Sequence, residues 1–171
     1  FPLGVERYVV NGGGLTGIQI LPDDEIEIIN DEGNQICEIT VFNKDGKSEL
    51  GILNLKESKN SSEIKKILFN KNETSLQALY QLKKRNLDIE KSKSAILFDK
   101  DTVAKETIKL KSKDKCYCII SAPGNAMLVH EQNPSTDLTV LVKRAEKKQD
   151  KEFSVIPDPV YDPSGEIDIK K

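Results

Sequence analysis

A chain of 171 residues fits one domain with a tail, and an apolar fraction of 37% supports a core of modest size. Lys and Arg number 26 against 28 Asp and Glu, a net charge of −2, which removes the electrostatic case for nucleic acid or an anionic membrane as a partner. No apolar run approaches the roughly 20 residues of a bilayer span, and residues 1–10 lack a basic start followed by an apolar stretch.

Tyr8–Val10 is a short strand candidate, ended by the glycines at 12–14. Gly17–Leu21 is a second, stopped at Pro22-Asp23-Asp24. Glu25–Ile29 alternates charged and apolar residues, the period of a half-buried strand. Residues 30–34 form an acidic turn in which Gly33 can take positive φ. Ile36, Ile39 and Val41 lead a longer strand to Asn43, so that strand, turn and strand are expected to make a hairpin. The middle changes period. Ile64, Ile67 and Leu68 sit on one helical face behind Asn60 and Glu63. Thr74-Ser-Leu-Gln77 matches a capping box, and the spacing predicts a helix from Ser75 to about Arg85. Strands return at Ala95–Phe98, Glu106–Leu110, Cys116–Ile120 and Leu138–Val142.

This order predicts a mainly β (α+β) fold: an antiparallel sheet domain, sandwich- or barrel-like, with one or two short helices inserted in the middle. Its expected extent is residues 1–145, with the helical insert at about 60–87. Residues 146–171, rich in proline and charge, are expected to link to a following domain. The only Met is Met127, so the chain is expected to be a piece of a longer polypeptide.

The polar stretch from Ser121 to Asp137, between two apolar strands, is where a β domain places its specific contacts. His130, Glu131, Gln132, Asn133 and Asp137 are the candidate binding residues, with Asp31, Asn34 and Gln35 in the acidic turn as a second patch. A general base is a poor reading of His130. Glu131, its neighbour on an extended chain, points to the opposite side and cannot orient it. No catalytic residues are assigned. Cys116 and Cys118 share a face if their segment is a strand, and with His130 they form the alternative metal set. Small buried cysteines in an apolar strand are the plainer reading. The odd count of three with Cys37 suggests reduced thiols and a cytoplasmic setting. Asp23, Asp24, Asp31 and Glu32 read as solubilising turn residues without the spacing of a calcium loop. The three glycines lack the helix and the lysine of a phosphate loop.

Four stretches taken together resemble a known arrangement. They are residues 4–14 (GVERYVVNGGG), residues 28–35 (IINDEGNQ), residues 122–127 with 131–138 (APGNAM, EQNPSTDL), and residues 156–159 (IPDP). They resemble the N-terminal region of bacterial fusion proteins of one-carbon metabolism. There, domains akin to the urea-carboxylase-associated family precede a folate-binding aminomethyltransferase domain, like the T protein of glycine cleavage; the trimethylamine N-oxide demethylases share this layout. The resemblance implies an accessory, non-catalytic domain with no cofactor of its own. It places tetrahydrofolate, and zinc or iron, in the rest of the parent protein. The implied partners are the following domains of the same polypeptide and a homo-oligomer. Metal-binding relatives use a set of cysteines, and Cys37 departs from their pattern by standing where many carry an acidic residue. The alternative is a methylated-amine-binding or metal-dependent domain in its own right.

Overall fold

The computed structural model describes residues 4–58, 73–123 and 136–145, with the backbone alone for 73–78. In chain order the elements are β1 (Val5–Val10), β2 (Leu15–Ile20), β3 (Glu25–Asn30), β4 (Cys37–Phe42), a 3-10 turn (Leu50–Leu53), α1 (Glu73–Lys84), β5 (Ser94–Phe98), β6 (Glu106–Lys111), β7 (Cys116–Ser121) and β8 (Leu138–Lys143). The strands form two antiparallel four-stranded sheets, ordered β1-β8-β3-β6 and β2-β7-β4-β5. Neither sheet closes into a barrel. Of the helical insert, residues 59–72 lie outside the described residues; α1 begins at Glu73, two residues before the expected start.

Side-chain alternation explains why the sheets face each other. Ile26, Ile28, Val140 and Val142 line the inner face of the first sheet, and Ile18, Ile20, Ile39, Val41, Cys118 and Ile120 that of the second. All belong to one buried cluster. The outer face of the second sheet is also covered. Leu15, Phe42, Tyr117 and Ile119 pack there against Leu82 and Ile89, the first of which belongs to α1. Hence every residue of β4 and β7 is buried, as expected for strands enclosed on both sides. Gly17 is part of this packing: a Cβ there would lie 1.9 Å from Tyr117 Oη, so the tyrosine ring occupies the space a side chain would need.

The expected hairpin of β3 and β4 does not form. β3 pairs with β6 and β8, whereas β4 pairs with β5 and β7. Residues 31–36 instead carry the chain from one sheet to the other. The physical reason is that both strands have apolar residues on the face turned toward the same core. Placing them in opposite sheets buries both faces, and local alternation cannot distinguish that crossing from a hairpin turn.

Candidate functional site

The 31–35 turn is shaped by two residues in the left-handed region, Gly33 (φ 76°) and Asn34 (φ 55°). At Gly33 a Cβ would stand 2.6 Å from the backbone nitrogen of Ala104 and 2.8 Å from Thr102 O, so the turn lies directly against the 102–104 backbone. Asn34 N–H donates to Thr102 O (2.7 Å), which fixes that contact. The next side chain, Gln35, is thereby turned inward and fully buried.

Gln35 joins three parts of the chain. Its Nε2 donates to Pro123 O (2.9 Å) and to Ile36 O (2.9 Å), and its Oε1 accepts from Thr136 N–H (2.8 Å). Pro123 and Thr136 are the described residues on either side of 124–135, so one buried amide holds both ends of the stretch singled out in the sequence. Asn30, buried at the end of β3, donates from Nδ2 to Gln35 O (2.8 Å). Asp31 Oδ2 accepts from Thr139 Oγ1 (2.6 Å), and Lys105 Nζ approaches Asp31 Oδ1 at 3.9 Å. Asp137 Oδ1 accepts from Gly12 N–H (2.9 Å), tying the same end to the glycine turn. Among the described residues, the buried Asn30 Oδ1 and Thr136 Oγ1 have no hydrogen-bond partner here, acceptor capacity that native interiors rarely leave idle.

Of the eight candidates from the sequence, Asp31, Asn34, Gln35 and Asp137 therefore gather at one end of the two sheets. His130, Glu131, Gln132 and Asn133 lie outside the described residues. Asn34 contributes through its backbone.

The cysteines separate into a pair and an outlier. Cys116 and Cys118 point to the inner face of β7 with their sulfurs 3.7 Å apart, and Ser112 Oγ lies 3.7 Å from Cys116 Sγ. Hydrogen bonding from Cys118 pulls the Cys116 thiol down, while its partner is pushed up by that same contact and by burial. Cys37 does not join them. The residue of β4 opposite Cys118 is Val41, four positions along the strand from Cys37, or roughly 13 Å at 3.3 Å per residue. Burial raises the Cys37 thiol far above its ordinary value, with Glu38 adding to the effect. The two thiols are half of a closed four-coordinate zinc shell, and the Ser112 hydroxyl is not one of its usual ligands. Among the described residues no three His, Cys, Asp or Glu side chains are grouped to hold a metal.

Two features had no signal in the sequence. Asp24, which reads as a solvated turn residue, is buried and pairs with Arg144. Arg144 donates from Nη1 to Asp24 Oδ2 (2.7 Å) and Gln19 O (3.0 Å), and from Nε and Nη2 to the two Glu6 oxygens (2.9 and 2.8 Å). Burial opposes the charge on Arg144, but Glu6 and Asp24 outweigh it and raise its pKa further. Tyr8 Oη also donates to Glu6. The second is Tyr117, whose ring lies 4.3 Å below the Arg85 guanidinium. Its phenol is pushed up to about 12 by burial, against the opposing pull of Arg85.

The Tyr117 shift has a measurable consequence. An unfolded tyrosine loses its proton near pH 10. Between there and the folded value near 12 the native state binds more protons, so stability falls as pH rises through that window. Unfolding free energies from urea titration at pH 8 and pH 11 should therefore differ less in Tyr117→Phe than in the parent chain, by about 1.4 kcal/mol.

No family model matches the chain. Over 169 residues, 98% of its length, it is 32% identical to a protein named trimethylamine-oxide aldolase from Ruegeria pomeroyi. The chain spans about a fifth of that relative, 21% of its length. The similarity thus runs through both sheets and the clamp between them, and concerns one part of a much larger protein. Among the described residues no helix is long and apolar enough to cross a membrane.

Proposed function

We propose that this chain is an accessory, non-catalytic domain of a larger enzyme acting on methylated amines, of the folate-linked aminomethyltransferase type, and that it serves domain packing and assembly in the cytoplasm. The single observation that carries the reading is similarity over 98% of the chain to 21% of a trimethylamine-oxide aldolase. It is supported by how the clustered polar residues are used. Gln35, Asp31 and Asp137 direct their side chains at the protein's own backbone and at Thr139, as structural ties do. In this reading His130, Glu131, Gln132 and Asn133 contact the following domain or a second subunit. Tetrahydrofolate, and zinc or iron, belong in this reading to the rest of the parent protein.

The test is to compare the longer protein with and without this segment, measuring assembly by sedimentation and turnover of trimethylamine N-oxide. Loss of assembly with residual chemistry supports an accessory role. Normal assembly and turnover without the segment contradict it.

A second reading, a ligand- or metal-binding domain in its own right, draws on the 3.7 Å thiol pair and the two idle acceptors around Gln35. Chelation followed by metal analysis of the purified chain separates it from the first.

A further inference from the structure

β6 is an outer strand of its sheet, bonded to β3 on one side and, among the described residues, to no strand on the other. The opposite outer strand, β1, has β2 beside it, with Thr16 Oγ1 donating to Val9 O (3.3 Å). At the C-terminal end of β6, against the 3-10 turn, lies a groove of about 470 Å³. Leu53 and Leu110 line its apolar part, Lys109, Lys111 and Lys113 supply its charge, and Asp23 is its one carboxylate. All three lysines are exposed, and among the described residues none makes an ion pair within 4 Å.

The strand already shows what it pairs with. On the closed side, Glu25 stands opposite Lys111 and Glu27 opposite Lys109, while Ile26 and Ile28 stand opposite Leu110 and Ile108. Charge meets opposite charge on the solvent face, and apolar meets apolar on the core face. A strand on the open side would meet the same β6 side chains at the same two-residue period. A second copy of β6 is a poor occupant: two-fold antiparallel pairing sets lysine against lysine, which is unfavourable across a ladder.

We infer that the open edge of β6 is a docking site for an extended peptide strand of a partner that alternates acidic and apolar residues. The partner's backbone adds to the sheet edge, its carboxylates meet Lys109, Lys111 and Lys113, and its apolar residues extend the surface of Leu110 and Leu53. Edge lysines also discourage indiscriminate strand pairing. The two roles agree, since a row of lysines rejects neutral and basic strands and admits acidic ones. The surface is independent of any part the chain plays in amine chemistry.

The experiment is fluorescence anisotropy on the full chain with a short blocked peptide alternating glutamate and valine, beside a control alternating lysine and valine. The glutamate peptide is expected to bind saturably and the lysine peptide not, with affinity falling as salt rises from 50 to 500 mM. Lys113→Glu combined with Lys111→Gln should weaken binding at least tenfold. Circular dichroism confirms that this variant is folded, and Lys113→Glu alone, outside the β3–β6 ladder, repeats the test with less risk to the sheet. Absence of saturable binding by the parent chain, equal binding of both peptides, or affinity unchanged in the folded variants would each overturn the assignment.

Discussion

Arg144→Met should lower unfolding free energy by about 3 kcal/mol, read from the urea midpoint with an unchanged slope. The side chain is 16% exposed and Asp24 2%, so the substitution strands a buried carboxylate whose remaining partners are backbone amides at Leu21 and Ala145. Glu6 is 42% exposed and contributes less, because water takes over its solvation. Methionine keeps most of the apolar stem, so the loss reports on the charge and its hydrogen bonds and not on packing. Lysine at this position should restore little. One ammonium cannot serve both Glu6 oxygens and Asp24 at once, as the planar guanidinium does. The location adds a structural consequence. Arg144 follows β8 directly and reaches β1, the end of β2 and the turn before β3, so losing it removes three side-chain ties that reinforce the ladder at the end of β8.

The second large effect is expected at Gln35. Gln35→Leu leaves the buried Pro123 O and the part-buried Thr136 N–H unpaired, a cost on the order of 3 kcal/mol when each lost partner costs about 1–3. Leucine is close to glutamine in volume, which separates the lost hydrogen bonds from a cavity. Because the two broken bonds lie on either side of 124–135, hydrogen exchange should rise at the amide of Thr136 well above the change at the centre of β7. Equal protection at both places in the variant would show that other contacts hold those ends.

Much of this architecture was legible in local pattern. The alternation at Glu25–Ile29 and Glu106–Leu110 marks strands exposed on one face, and both lie in the sheet whose outer side carries charge. The unbroken apolar run at Cys116–Ile120 marks a strand covered on both faces, as β7 is. The shared face of Cys116 and Cys118 also followed from the period of two. The partner of each strand was not legible, because pairing β3 with β6 joins residues about 80 positions apart and leaves no trace in either segment alone. Asp24 and Arg144 escaped for the same reason. An aspartate after a proline reads as a solvated turn until a cation 120 residues away is brought against it. The acidic turn at 31–35 reads as a contact patch, and within the chain Asp31 bonds to Thr139 and Gln35 to Pro123 and Thr136. Polarity in a turn shows that hydrogen bonds will form and not with what.

The resemblance noted in the sequence and the similarity to part of a trimethylamine-oxide aldolase point to the same kind of larger protein. The described side chains include a core shared by two sheets, a buried amide at one end and an ion-paired arginine at another. These ties suit the accessory role we propose.

Isothermal titration calorimetry of the 171-residue chain with trimethylamine N-oxide, and separately with zinc, tests this division of labour most directly. The account predicts no saturable heat with either. Stoichiometric binding of the amine oxide, or of zinc lost on replacing Cys116 and Cys118 with serine, would contradict it and place chemistry inside this domain.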